Sequence, residues 1–170
     1  EVNSAMMTEN RFLCVTRARR FGKSVAVKML NAYYDKSCDS QNLFQGLAIS
    51  KDEDFEKHLN RYPVLYLDMT DFVTKYGNDE QLVEHIKRDI CEELLELYKG
   101  VVMKPNDDLM DLLVSIVNQT GEKFVCLIDE WDALCREGQE KQMDEYVNLL
   151  RRLFKGSMSE YVFACSYMTG

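Results

Sequence analysis

The sequence lacks several features that would each have set its class. None of its six cysteines forms a Cys-x-x-Cys pair, and its two histidines, His58 and His85, complete no zinc-ligand spacing. The cysteines at 14, 38, 91, 126, 135 and 165 therefore read as reduced. Cys14, Cys126 and Cys165 lie in apolar runs, where a free thiol behaves as a small hydrophobe. No apolar run approaches the ~20 residues that span a bilayer, and no secretory segment opens the chain. The expectation is a soluble, cytoplasmic protein with no membrane partner. An excess of positive charge is missing too: the net charge is −8, which argues against generic nucleic-acid binding.

What is present suits one domain with a proper core, since 170 residues carry 46% hydrophobic and 29% charged side chains. The charge is uneven. From Arg11 to Lys28 every charged residue is basic: Arg11, Arg17, Arg19, Arg20, Lys23 and Lys28. A positive stretch on an acidic chain points to a local anion site.

Apolar runs at 12–16, 63–69, 123–130 and 161–168 read as buried strands, with Pro63 at a first position where a missing N–H does least harm. Between them lie helical stripes. Val25, Val27, Met29, Leu30, Tyr33 and Tyr34 predict a helix from Lys23 packed on a sheet. Further helices are expected over 82–99, ended by Gly100, and from the Asn106-Asp107-Asp108 cap to Gly121. Met143, Val147, Leu150 and Phe154 mark another, ending near Gly156. The stretch 35–62 is less regular, with a short helix expected at 54–60. Strands alternating with helices predict an α/β fold with a mainly parallel sheet.

Two motifs carry chemistry. "TRARRFGKSVAVKML" (16–30) follows a strand and starts a helix, with Gly22-Lys23-Ser24 as the tail of a phosphate-binding, Walker A-like loop. In that setting backbone N–H groups and the helix dipole converge on a phosphate. Lys23 would reach the β- and γ-phosphates, and Ser24 would offer its hydroxyl to Mg²⁺. The bland alternative is a helix N-terminus with ordinary basic residues. "VCLIDE" (125–130) is four apolar residues and two acids, as expected of a Walker B strand. Asp129 would hold Mg²⁺ through water, and Glu130 would polarise the attacking water. Asp68 follows an equally apolar run but lacks the next glutamate, so a structural or supporting role is expected for it.

Together these motifs resemble the bacterial AAA-ATPase-like family, P-loop NTPases often fused to a PD-(D/E)XK nuclease-like domain. "LFQGLAIS" (43–50), "YPVLYLDMTDF" (62–72), "LIDEWDAL" (127–134) and the terminal "MTG" extend the likeness over nearly the whole chain. The resemblance implies a P-loop NTPase-like three-layer α/β/α sandwich over residues 1–170. It implies also that the chain is a piece of a longer protein without its C-terminal lid or any following domain. In the family an arginine commonly replaces the loop's first glycine, so Arg17 is not disabling. Ala18 stands in place of proline and Trp131 in place of tyrosine. A non-glycine at the loop's first position predicts a backbone path differing there from the usual phosphate loop.

The cofactors expected by resemblance are ATP and Mg²⁺. The nucleotide-contacting residues expected are Arg19, Arg20, Phe21, Gly22, Lys23, Ser24 and Val25. Thr169 or Ser166, on a sensor strand beside the phosphate loop, would meet the γ-phosphate. Catalysis falls to Glu130 and Lys23, metal binding to Ser24 and Asp129. Arg17, Arg19 and Arg20 have three open roles: phosphate charge, pairing with Asp132 or Asp68, or contact with another subunit. Arg151 and Arg152 read as a solvated helix face more readily than as an arginine finger. The expected activity is Mg²⁺-dependent ATP hydrolysis; the alternative is a nucleotide-gated switch or scaffold regulating a fused or partner nuclease-like domain. A second copy of the chain is the other partner expected. Nuclease chemistry itself lies elsewhere, since no lysine here has Asp or Glu two positions before it.

Overall fold

The computed structural model describes residues 2–6, 8, 10–16, 22–77, 79–136 and 140–170. The elements in chain order are α1 (Val2–Met6), β1 (Phe12–Val15), α2 (Lys23–Tyr34), α3 (Gln41–Phe44), a 3-10 turn (Ala48–Lys51), α4 (Phe55–His58), β2 (Val64–Asp68) and α5 (Met69–Tyr76). There follow α6 (Leu82–Leu97), α7 (Leu109–Thr120), β3 (Phe124–Asp129), α8 (Ala133–Arg136), α9 (Glu140–Phe154), α10 (Ser157–Val162) and β4 (Phe163–Thr169). The fold is α/β with an all-parallel four-stranded sheet, the class expected of a P-loop-like sandwich.

The chain forms two compact units: residues 1–67, 123–131 and 163–170 in one, and 68–122 and 132–162 in the other. The first holds the sheet, in the order β1-β4-β3-β2. The strand expected to carry the sensor thus lies directly beside β1. Every residue of β3 is buried, which accounts for its unbroken apolar run. Helix α2 packs on β3 and β4 through Val27, Tyr33 and Tyr34, joined in one cluster by Phe44, Phe55, Val125, Leu127 and Cys165. Val25 and Met29, expected on that face, are exposed instead (62% and 45%). Pro63 stands just outside β2, and its carbonyl accepts from Val125 N at 3.0 Å. Cys126 and Cys165 are buried thiols as read, whereas Cys14 is exposed on the edge strand.

The second unit is helical. Its best-defined start is that of α7, where Asp108 Oδ1 accepts from Asp111 N and Asp111 Oδ2 accepts from Asp108 N, both at 3.0 Å. Gly121, with φ 72°, ends the same helix in the left-handed conformation that glycine adopts without penalty. Val83, Ile86, Ile90 and Leu94 of α6 are buried as expected, while Leu97 is exposed. Helix α9 turns a neighbouring stripe inward: Gln142, Tyr146, Leu149 and Leu153 are buried, and Met143, Val147, Leu150 and Phe154 flank them. Residues 161 and 162, read as the start of a strand, close the short helix α10, and the strand begins at Phe163.

A charged cluster ties α5 to α6 within this unit. Asp89 accepts from Tyr76 Oη, from Lys75 Nζ at 2.6 Å and from Arg88 Nη2 at 2.9 Å. Burial alone would raise its pKa. The hydrogen bonds from Lys75, Tyr76 and Arg88 together outweigh that and hold the carboxyl well below its usual value of 3.8. A carboxylate depressed in the folded state stabilises fully above its unfolded pKa, and that contribution fades as pH falls through the folded one. Urea melts at pH 7 and pH 3 should therefore show an acid loss of stability that is smaller in Asp89→Asn than in the wild type.

Candidate functional site

The candidate residues gather where three parallel strands end. Register pairs Asp129 of β3 with Thr169 of β4, and Thr169 with Val15 of β1. The carboxyl ends of β1, β4 and β3 thus stand level in adjacent positions, the edge at which parallel α/β sheets bind ligands. The alternation of strands and helices in the sequence could not reveal this order, because register depends on pairing between distant segments.

Beyond β1, the chain re-enters the described structure at Gly22, the N-cap of α2. Gly22 has φ 74°, and a Cβ built there meets nothing within 4 Å. Glycine is needed there for its backbone conformation rather than for close approach. Gly22 O accepts from Ala26 N at 3.0 Å, the first turn of α2. Among the described residues Gly22 offers no side-chain cap, and no acidic residue occupies the first turn. The dipole at the start of a twelve-residue helix favours an anion. Lys23 and Ser24 are half-buried at the first two helical positions, and Val25 is exposed beside them.

At the end of β3, Asp129 is 1% exposed. Its Oδ1 accepts from Glu130 N at 3.0 Å, and its Oδ2 is buried with no hydrogen-bond partner among the described residues. Thr169 Oγ1 and Ser166 Oγ on β4 are likewise buried and unpartnered. A buried carboxylate oxygen without a donor is costly, and a hard cation is the partner that suits it. Glu130 is half-buried with φ 51°, one of two non-glycine residues among those described with positive φ. Trp131 N donates to Thr169 O at 3.0 Å, joining the exit of β3 to the last residue of β4. That link was not foreseen. It runs through main-chain atoms, and glutamate is not a residue type that marks a left-handed turn.

The other expected residues are distributed as follows. Arg19, Arg20 and Phe21, with Arg17 and Ala18, lie outside the described residues, and so does the expected change in loop path. Asp68 caps α5, its Oδ1 accepting from Thr70 N at 3.0 Å, which is the structural role expected. Asp132 is held by Arg136 at 3.0 Å. Arg152 is exposed and pairs with Asp108, while Arg151 donates to Asn148 at 3.3 Å, both within the helical unit. Among the described residues no group of three or more His, Cys, Asp or Glu side chains could hold a metal. A Mg²⁺ carried with nucleotide needs no such cage, since phosphates and waters supply most of its ligands. No described helix is long and apolar enough to cross a membrane.

Comparison with known proteins places a family model on almost the whole chain: the one described as Predicted AAA-ATPase matches residues 3–170. No curated protein and no solved structure matches.

Proposed function

The chain belongs to the predicted AAA-ATPase family, and from that premise we propose that it binds Mg·ATP at the level strand ends of its sheet and hydrolyses it. The observation that carries this reading is the buried, unpartnered Asp129 Oδ2, in register with Thr169 and set on the sheet edge that α2 follows from β1. The N–H groups at the start of α2 bind the phosphates, with Lys23 as their cation. Ser24 and Asp129 Oδ2 hold the metal through a hydroxyl and a carboxylate. Thr169 Oγ1 meets the terminal phosphate. Glu130 orients the attacking water and takes its proton on a carboxylate oxygen. The metal, when bound, offsets charge that builds on the phosphate oxygens. Arg19, Arg20, Phe21 and Val25 complete the loop in this reading. The choice of ATP over GTP follows the family.

Isothermal calorimetry of Mg·ATP on the wild type and on Lys23→Ala, with phosphate release followed alongside, tests it. Wild-type binding that Lys23→Ala abolishes supports the site, and wild-type release supports the ATPase. Binding without release would turn the reading into the switch, with a fused or partner nuclease-like domain as its target. Binding that survives Lys23→Ala unchanged would overturn the assignment of the loop.

A further inference from the structure

Resting on the nucleotide reading above, we propose that Trp131 is a positioning residue whose main-chain N–H, held by the Thr169 carbonyl, sets the conformation of Glu130. Glu130 occupies the left-handed region at φ 51°. A Cβ disfavours that region, and a residue stays there only where its surroundings impose it. Two hydrogen bonds do so here. The peptide N–H entering Glu130 donates to Asp129 Oδ1 at 3.0 Å. The peptide N–H leaving it, that of Trp131, donates to Thr169 O at 3.0 Å. Because peptide planes are rigid, pinning the plane on each side of Cα pins both soft dihedrals of Glu130.

The two anchors are the residues assigned to the metal and to the terminal phosphate. Asp129 spends Oδ1 on the clamp and leaves Oδ2 unpartnered; Thr169 spends its carbonyl and leaves Oγ1 unpartnered. A terminal phosphate that engages the Thr169 hydroxyl therefore acts on the residue whose carbonyl holds the second plane of Glu130. The presence of that phosphate is passed to the general base through one main-chain hydrogen bond, without rearrangement of the sheet. A diphosphate, which does not reach Thr169, leaves the clamp as it is.

Trp131 is the chain's one tryptophan, so its emission reports the clamp directly. The experiment compares Mg·ATPγS with Mg·ADP by Trp131 fluorescence and by calorimetry, on the wild type and on Thr169→Val. The expected result is that both nucleotides bind the wild type and only Mg·ATPγS shifts the emission. Thr169→Val keeps the carbonyl, binds Mg·ATPγS more weakly, and at saturation shows no shift. In turnover, Trp131→Pro, which lacks the N–H, drops kcat ~100-fold with KM little changed, and the conservative Trp131→Phe recovers the rate. Equal emission with the two nucleotides, a difference that survives Thr169→Val, or a folded Trp131→Pro as fast as the wild type would each overturn the proposal. Should Trp131→Pro not fold, the wild-type emission difference decides alone. Binding of neither nucleotide by calorimetry overturns the nucleotide reading and this proposal with it; binding without an emission difference overturns this proposal only.

Discussion

Glu130→Gln is expected to slow phosphate release by ~10²–10⁴-fold, the usual contribution of a positioned general base, while the affinity for Mg·ATP stays close to that of the wild type. That range corresponds to roughly 2.7–5.4 kcal/mol of lost transition-state stabilisation. Glutamine preserves the size of the side chain and can still orient a water, but its amide oxygen does not take a proton at neutral pH. The hydrogen bonds from the main-chain N–H groups of Glu130 and Trp131, to Asp129 Oδ1 and Thr169 O, do not involve the Glu130 side chain, so the substitution leaves them in place. Single-turnover release beside calorimetry separates the two quantities. A Glu130→Gln enzyme that turns over at the wild-type rate would remove Glu130 from the chemistry. Weakened binding with an unchanged rate at saturation would assign it to the ground state instead.

Asn60→Ala is expected to cost about 3 kcal/mol of stability, seen as a fall in melting temperature of roughly 6–12 °C. Asn60 holds the C-terminal end of α2 to the segment that follows it. Its Nδ2 donates to Ala32 O at 3.0 Å and Asp35 O at 2.8 Å, and its Oδ1 accepts from Ser40 N at 3.1 Å. Its own N–H donates to Tyr33 O at 2.7 Å. Ala32 O and Asp35 O keep other donors after truncation, Ser40 Oγ and Cys38 N respectively. The largest loss is the partner of the Ser40 amide, on a residue that is itself buried. Asn60 also has φ 53°, which asparagine tolerates and alanine does not. Asn60→Gly removes the same side-chain bonds but relieves the backbone, so it should melt above Asn60→Ala. Equal melting temperatures would mean that backbone conformation contributes nothing at this site. Because the proposed phosphate site lies at the start of α2, thermal denaturation is best followed with and without Mg·ATP.

The sequence made the alternation of elements legible where local chemistry was unambiguous. Lys23–Tyr34 and Leu109–Thr120 lie where their stripes and caps indicated, since Gly22, Asp108 and Gly121 each act through bonds or dihedrals within a turn of themselves. The Gly22-Lys23-Ser24 tripeptide at the start of α2 and the acidic end of β3 were legible for the same reason: both are contiguous stretches of sequence. Short helices such as α5 and α10 were not legible, because they have too few turns to display a period against their flanking strands. The face of α9 was misjudged by one position. Tyr146 and Leu149 turn inward together with a polar residue, Gln142, whose Nε2 finds Asp79 O at 3.2 Å.

By itself, then, the sequence determined the fold class and the family, both of which follow from local pattern. Only the tertiary structure decided that β4 lies between β1 and β3, with Thr169 level with Asp129, and that Asp129 Oδ2 is buried without a partner among the described residues. It also decided that Glu130 takes a left-handed turn pinned from the neighbouring strand. The physical reason is that strand order and register come from hydrogen bonds between segments far apart in the chain, about which no local period carries information.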